Sequence, residues 1–145
     1  MHIYRWDLDR TYLDTEIDSV RGLLRTALES AGEKKVIPGA DALLRSLIRH
    51  DPDAMVCILS GSPRQMRGVL REKLALDGIR VDKLTLKDNL GNIRRGRLRA
   101  VRDQLGYKLP SLLEARQGMD AQRTETLFGD DSEVDALVYL SLIHI

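Results

Sequence analysis

The stretch "HIYRWDLDRTYLDT", residues 2–15, places two carboxylates directly after a short apolar run that has the character of a β-strand. An ionised carboxylate resists burial, so Asp7 and Asp9 are tolerated at that point only if water, a hydrogen-bond donor or a metal ion meets them. Two interpretations are open. The aspartates and Thr11 form a capped turn by accepting hydrogen bonds from backbone amides, or they form a functional site.

The overall composition is that of one folded domain with a substantial core. The chain has 145 residues, of which 43% are hydrophobic and 31% are charged. Its formal net charge of +1 disfavours a chain built mainly to coat nucleic acid. A single cysteine, Cys57, excludes an intramolecular disulfide and is consistent with a reducing compartment. Neither a signal peptide nor a membrane-spanning apolar run is found, so we expect a cytoplasmic protein.

Short apolar runs with strand character alternate along the chain with segments of helical periodicity. The apolar runs lie at residues 2–6, 54–59, 83–86 and 125–128. Apolar stripes with helical spacing lie between them, at Val20–Ala31, Leu43–Ile48 and Met66–Leu74. This alternation predicts an α/β fold of one domain, a doubly wound, Rossmann-like parallel sheet with helices on both faces.

Polar residues gather immediately after three of the predicted strands. In open α/β sheets, ligands bind in the crevice at the carboxyl ends of the strands. The residues are Asp7 and Asp9 after the first strand, Ser60 after the second, and Asp130, Asp131 and Asp135 after the fourth. Neighbouring carboxylates repel one another unless a cation lies between them, so the cluster predicts a bound divalent metal ion. Mg²⁺ is the expected cofactor, because the donors are oxygens and no His or Cys stands at a zinc-like spacing.

Four motifs occur in a recognisable order along nearly the whole chain. They are "DLDRT" at residues 7–11, "LSGSP" at residues 59–63, a later lysine, and "GDDSEVD" at residues 129–135. The set resembles the signature motifs of the haloacid dehalogenase superfamily of aspartate-nucleophile phosphohydrolases. Within that superfamily the chain is most similar to catalytic domains of the actin-patch phosphatidate phosphatase type. The positions that carry this closer resemblance are Thr11, Thr15, Ser62, Pro63, Gly129, Asp130, Asp135 and Tyr139.

The resemblance implies a mechanism with an aspartyl-phosphate intermediate, which divides hydrolysis into two displacements. Asp7 would be the nucleophile. Asp9 would protonate the leaving oxygen and later take a proton from the attacking water. Ser60 would hold a phosphoryl oxygen through its hydroxyl group.

The resemblance also implies the ligands of the metal ion and a catalytic cation. Mg²⁺ would be held by Asp7, by the backbone carbonyl of Asp9 and by Asp130, with Asp135 or Asp131 in support. The cation would be a lysine, for which two positions are available. Lys108, in "GYKLPSLL", is placed before a helix and is preferred, and Lys87, in "LTLKDN", is the alternative because it also follows a strand.

The substrate is indicated by two features. Residues 12–37 are too few for a large cap domain, so a minimal or absent cap and an open site for a bulky substrate are expected. The second feature is an arginine-rich segment, predicted to be helical, that forms either a solvated surface or a docking site for a polyanion such as an anionic membrane surface, a phosphoprotein or nucleic acid. Its arginines Arg95, Arg99 and Arg102 share one face.

Three functions are therefore open. The first is a Mg²⁺-dependent phosphomonoester hydrolase that acts on a phosphatidate-like lipid or another bulky phosphoester. The second is a phosphatase acting on nucleic-acid ends or phosphoproteins, and the third is a non-catalytic module that binds phosphate or metal.

The end of the chain has an unusual sequence for this kind of domain. The helix expected after Asp135 extends over residues 136–140 only, and the further strand and helix usual for this fold are absent from the sequence. The final "SLIHI", residues 141–145, resembles a translated sequencing-adapter tail. The expected organisation is thus a phosphatase domain at residues 1–140, incomplete at its C-terminus, followed by a non-native tail.

Overall fold

A four-stranded parallel sheet organises the domain in the computed structural model. The structure describes residues 1–14, 30–87, 97–117, 122–130 and 135–144, excluding the side chains of residues 97–104 and 144. The strands are β1 (His2–Asp7), β2 (Met55–Pro63), β3 (Lys83–Lys87) and β4 (Thr124–Phe128). Their order is β3-β2-β1-β4, and each neighbouring pair is parallel. The strand that carries the two aspartates therefore lies inside the sheet, between β2 and β4.

The register brings the carboxyl ends of three strands to the same level. Asp7 pairs with Leu59 of β2, and Trp6 pairs with Phe128 of β4. Residues that follow β1, β2 and β4 consequently meet at one edge of the sheet. β2 continues past the predicted apolar run as far as Pro63, and its pairing with β3 is irregular between Ser60 and Pro63.

Four α-helices connect or flank these strands within the residues that the structure describes. They are α1 (Ala40–His50), α2 (Arg67–Leu76), α3 (Arg97–Arg116) and α4 (Asp135–His144), and short 3₁₀ turns occupy Ala31–Glu33 and Arg64–Met66. The stripes predicted at Leu43–Ile48 and Met66–Leu74 are thus found in helical segments. The stripe predicted at Val20–Ala31 lies outside the described residues except for its end, as does most of the segment expected to lack a cap.

Both faces of the sheet are covered, because side chains alternate along each strand. Tyr4 and Trp6 of β1 join the core under α1 and α2. Leu59 of β2 packs in a second cluster with Leu112 of α3 and Val138 of α4. Helices on both faces confirm the predicted doubly wound α/β fold. No helix in the described part of the chain has both the length and the apolar character needed to cross a bilayer.

Lys108 lies inside α3, and its predicted position before a helix is wrong. The helix continues to Arg116 although it contains Pro110. Proline in a helix interior removes one backbone hydrogen bond. Tertiary packing outweighs that cost, since Lys108 and Leu112, one turn apart, are both buried against the domain.

The terminal helix α4 is longer than the sequence predicts. It runs from Asp135 to His144, and the side chain of Leu142 is buried in the second core cluster. Arg116 Nη1 also donates a hydrogen bond of 2.9 Å to the carbonyl oxygen of Leu142. These contacts explain why the helix continues past residue 140.

A buried charge cluster joins α3 to β1 and β4 below the carboxyl edge. Arg5 of β1 donates from Nε to Glu125 Oε1 at 2.8 Å, and Arg116 of α3 donates from Nε to Glu125 Oε2 at 2.7 Å. Burial raises the pKa of Glu125, but the hydrogen bonds from Arg5 and Arg116 outweigh it and hold that pKa below its usual range. Glu125 therefore stays ionised between two cations.

Candidate active site

The central feature of the site is a lysine shared by two buried carboxylates. Lys108 Nζ lies 2.8 Å from Asp7 Oδ1 and 2.5 Å from Asp135 Oδ1. Asp7 is 1% exposed, Asp135 is fully buried and Lys108 is 2% exposed. Three segments supply these groups: the end of β1, the middle of α3 and the first residue of α4. The lysine preferred from the sequence is thus in direct contact with the predicted nucleophile.

The charges in this cluster control one another's protonation. Burial raises the pKa of Asp7 well above its usual range; Lys108 opposes that rise, and the nearby Asp135 and Asp9 add to it. Burial lowers the pKa of Lys108, but the attraction of Asp7 and Asp135 outweighs burial and raises it overall. Lys108 is therefore a permanent ammonium ion at neutral pH, and it is the group that favours the ionised form of Asp7.

The first residue after β4 is packed so closely that only glycine fits there. A Cβ atom on Gly129 would lie 2.6 Å from Asp135 Oδ2 and 2.7 Å from Tyr139 Cε2. The Tyr139 hydroxyl donates a 3.0 Å hydrogen bond to the carbonyl oxygen of Phe128, the last residue of β4. The backbone amide of Asp130 lies 3.4 Å from Asp135 Oδ2, in a long hydrogen bond. Together these contacts fix Asp135 where Lys108 can reach it.

Asp9 is held over the end of β2 by two serine hydroxyls. Ser60 Oγ donates to Asp9 Oδ2 at 2.6 Å, and Ser62 Oγ donates to Asp9 Oδ1 at 3.3 Å. The backbone amide of Ser62 in turn donates to Ser60 Oγ at 3.0 Å. The sequence singled out Ser60 as a phosphate ligand and assigned no role to Ser62. The sequence feature that could have indicated a role for Ser62 was the repeated serine in "SGSP", because alternate positions of a strand point to the same face.

A tight turn carries Asp9 and Thr11 beyond the end of β1. The amides of Tyr12 and Leu13 both donate to the carbonyl of Leu8, at 3.0 and 2.8 Å, so the chain folds back on itself. Thr11 Oγ1 lies 3.4 Å from Asp7 Oδ2, at the limit of a hydrogen bond. The stretch is therefore a turn closed by backbone hydrogen bonds to Leu8, and its two aspartates contact different groups, Lys108 at Asp7 and the two serines at Asp9.

The donors assigned to magnesium are compatible with a hard cation. The Asp7 and Asp130 carboxylates and the Asp9 main-chain carbonyl are all oxygen donors, which Mg²⁺ prefers. The single Lys108 ammonium contacts both Asp7 and Asp135, so it does not balance the charge of the two carboxylates. Within the described ranges, however, no group of three or more His, Cys, Asp or Glu side chains is arranged as a metal cage. The donor chemistry fits Mg²⁺, with water or substrate needed to complete its coordination.

The remaining predicted residues lie elsewhere or outside the described part of the chain. Lys87 ends β3 and pairs with Pro63 of β2, which places it two strands from β1, roughly 10 Å away by strand spacing. Asp131, Thr15 and Arg95 fall outside the described residues. Arg99 and Arg102 lie on α3, but their side chains are also outside them.

An apolar cavity adjoins the site on the α1 side of the sheet. Its volume is about 490 Å³, and Thr11 and Gly129 form the part of its wall nearest the carboxylates. The described residues that form the rest of the wall are mainly apolar: Trp6, Ile37, Pro38, Gly39, Ala40, Leu43, Leu127 and Phe128. The cavity thus offers a mainly apolar surface beside Thr11 and Gly129.

Comparison with known proteins gives one family match and several structural similarities. The model of the family described as "Phosphatidate phosphatase APP1, catalytic domain" matches residues 6–144. No curated protein sequence matches the chain. A chain in the structure of the Pnkp1/Rnl/Hen1 RNA repair complex is similar with a TM-score of 0.49 and 15% identity, over 89% of this chain and 43% of that one. This chain therefore spans less than half the length of that protein.

A third similarity is to a D,D-heptose 1,7-bisphosphate phosphatase from B. bronchiseptica, whose crystal structure was determined with magnesium and phosphate. The TM-score is 0.42 and the identity 13%, over the full length of both chains.

Proposed function

Because the chain belongs to the family of phosphatidate phosphatase APP1 catalytic domains, we propose that it is a Mg²⁺-dependent phosphomonoester hydrolase with Asp7 as its nucleophile. This membership confirms the haloacid dehalogenase-type phosphatase identified from the four motifs. The observation that supports the proposal most is the Lys108 ammonium 2.8 Å from a buried Asp7 carboxylate. A carboxyl group at the end of a central strand, whose ionised form is favoured by a permanent cation against the effect of burial, has the properties of a nucleophile.

In the first step, an Asp7 carboxylate oxygen attacks the phosphorus atom of the substrate. The new bond forms as the ester P–O bond breaks, which leaves an aspartyl-phosphate and an alkoxide. Asp9 donates its proton to that alkoxide. Lys108 stabilises the carboxylate form of Asp7 before the attack, and Asp135 holds the ammonium in place through its 2.5 Å contact.

In the second step, water attacks the phosphorus atom of the aspartyl-phosphate. Asp9 takes a proton from that water, the bond between Asp7 and phosphorus breaks, and phosphate leaves. The hydroxyl of Ser60 contacts Asp9 at 2.6 Å. In the proposed mechanism this hydroxyl turns to a phosphoryl oxygen once substrate is bound, while Ser62 keeps its contact with Asp9. When held by Asp7, Asp130 and the Asp9 carbonyl, Mg²⁺ would offset the repulsion between nucleophile and phosphate.

We further propose a phosphatidate-like lipid, or another phosphomonoester with an apolar substituent, as the substrate. The apolar cavity beside Thr11 and Gly129 supports this choice, because the nonpolar part of such a substrate would be removed from water there. Contact of Arg95, Arg99 and Arg102 with an anionic membrane surface belongs to the same proposal. So does the cytoplasmic location expected from the sequence.

The proposal is tested by hydrolysis of p-nitrophenyl phosphate by the wild-type protein and by Asp7→Asn, each with Mg²⁺ and with a chelator. Circular dichroism first establishes that both are folded. We expect turnover only by the wild-type protein with Mg²⁺, and a loss of at least a thousandfold in Asp7→Asn, because the amide is not a nucleophile. Folded protein with no turnover on this compound, dioleoyl phosphatidate or a 5′-phosphorylated oligonucleotide would instead indicate a non-catalytic module.

A further inference from the structure

A buried hydrogen bond joins the turn that carries Asp9 and Thr11 to a distant part of the fold. Tyr12, which follows Thr11 directly, is fully buried, and its hydroxyl donates to Asp77 Oδ2 at 2.7 Å. Asp77 directly follows Leu76, the last residue of α2, and caps the C-terminus of that helix. Burial and the contact with Asp77 raise the pKa of the Tyr12 hydroxyl, so it keeps its proton and remains a donor.

Asp77 is itself held by two cations. Lys73 Nζ donates to Asp77 Oδ1 at 2.6 Å, one turn back along α2. Arg45 of α1 donates from Nη1 to the Asp77 carbonyl oxygen at 2.8 Å. The acceptor of the Tyr12 hydrogen bond is therefore held by side chains of both α1 and α2, and both helices pack in the main core cluster.

The turn needs such support, because its backbone is strained. Arg10, between Asp9 and Thr11, has a φ of 60°, in the left-handed region that residues with a Cβ atom rarely adopt. Strain of this kind persists when surrounding contacts determine the conformation. Tyr12 supplies several of them: its amide donates to Leu8, its carbonyl accepts from Ile37, and its ring meets Trp6 edge-on at 6.4 Å.

We propose that Tyr12 is a positioning residue, which holds the Asp9–Thr11 turn in its reactive geometry through its hydrogen bond to Asp77. The inference rests on the proposed function, since it concerns the groups that assist Asp7. Tyr12 does not touch the reacting atoms. Asp9 and Thr11, in the same turn, lie at the carboxyl edge of the sheet. A displacement of about 1 Å of groups that take part in the reaction can lower the rate as much as a hundredfold.

The test uses Tyr12→Phe, which removes only the hydroxyl group, and two variants at its partner. Asp77→Ala removes the acceptor, whereas Asp77→Asn keeps an oxygen that can accept from Tyr12. Tyr4→Phe is the matched control, because Tyr4 is a buried tyrosine of the same core cluster but lies in the first half of β1. We expect kcat on p-nitrophenyl phosphate to fall about tenfold in Tyr12→Phe and in Asp77→Ala, with KM within about twofold of wild type. Asp77→Asn should recover most of the activity that Asp77→Ala loses.

A second readout does not depend on catalysis. The amides of residues 12 and 13 donate to Leu8, so their native-state hydrogen exchange reports on the turn. We expect exchange at these two amides to accelerate at least tenfold in Tyr12→Phe, while amides of β2 and all sites in Tyr4→Phe change much less.

The two proposals fail in different ways. A wild-type protein without turnover refutes the proposed function. Amide exchange at residues 12 and 13 then still shows whether the Tyr12 hydrogen bond holds the turn. If wild type is active but Tyr12→Phe matches Tyr4→Phe in kcat and in exchange, the positioning role is wrong. Exchange that accelerates equally in the turn and in β2 would show a general loss of stability, and it would also overturn the inference.

Discussion

Replacing Lys108 by methionine is expected to destabilise the domain strongly at neutral pH, because it leaves two buried carboxylates without their shared cation. Methionine nearly matches the length of lysine, so packing is largely conserved and the charge is what changes. Lys108, Asp7 and Asp135 are each at most 2% exposed, and the ammonium is within 2.8 Å of both acids. Removing one partner of a buried ion pair costs about 3–5 kcal/mol. Relative to a total stability of roughly 5–15 kcal/mol, this loss brings Lys108→Met close to unfolding.

The pH dependence distinguishes this cause from a packing defect. The pKa of Asp7 is already raised by burial, and without Lys108 it rises further, so the folded variant prefers a protonated Asp7. An acid whose pKa is raised on folding loses stability as pH rises through that pKa. The deficit of Lys108→Met relative to wild type should thus be largest at neutral pH and shrink as pH falls toward about 4, where Asp7 of the unfolded chain also takes up a proton.

The measurement is urea denaturation of both proteins in the presence of a chelator, at neutral pH and at the lowest pH where both remain folded. Lys87→Met is the control, since Lys87 is at the end of β3 and its loss should change the free energy of unfolding by at most about 0.5 kcal/mol. A deficit below about 1 kcal/mol at neutral pH would refute the reasoning, given the usual cost of an unpaired buried charge. So would a deficit that is the same at both pH values, because it would then come from packing.

Three further perturbations test other parts of the site. Gly129→Ala should lower the free energy of unfolding by about 1–3 kcal/mol through overlap with the helix α4 side chains, whereas Gly106→Ala, in open space within α3, should raise it by up to about 1 kcal/mol in the same urea titration. Glu125→Gln should destabilise by about 3 kcal/mol at neutral pH, and the deficit should begin to shrink below about pH 4.5 and vanish only below the lowered pKa of the folded state, because an acid whose pKa is lowered on folding keeps its full contribution above its unfolded value. Leu43 is 47% exposed in the cavity wall, so Leu43→Glu should lower kcat/KM about fivefold on dioleoyl phosphatidate and leave p-nitrophenyl phosphate unaffected; equal loss in the remote exposed control Leu76→Glu would contradict the cavity assignment.

The fold was predictable because its strands are short apolar runs separated by clear helical stripes. The runs at 2–6, 83–86 and 125–128 differ from the observed strands by one residue at one end. The run at 54–59 failed to show that β2 continues to Pro63, since the polar "SGS" has no apolar pattern. Its extension depends on pairing with β3, where Ser60 meets Leu86 and Pro63 meets Lys87, and such pairing is a tertiary property.

The part of the site that could be predicted is the part that follows from the rule that ligands bind at the carboxyl ends of parallel strands. The carboxyl-edge rule brought Asp7 and Asp135 together, although 128 positions separate them in the sequence. The two residues that orient the acids, Ser62 and Tyr12, were not assigned roles, because a hydroxyl in a turn or a strand has no pattern that names its partner. The hydrogen bonds from Tyr12 to Asp77 and from Ser62 to Asp9 form only when the helices and strands have packed together.

The position of Lys108 shows why the chemistry of the site depends on residues far from it. One helix, α3, contributes both Lys108 and Arg116, which are about two turns apart. Arg116 meets Glu125, which also holds Arg5, and Arg5 is two residues before Asp7 on the same face of β1. The same strand and the same helix are thus joined twice, once through Glu125 and once through the direct contact of Lys108 with Asp7. The contact through Glu125 is a second attachment of α3 to the sheet. It helps to hold the helix in the position at which the Lys108 ammonium lies at the end of β1, despite the cost of Pro110 within the helix.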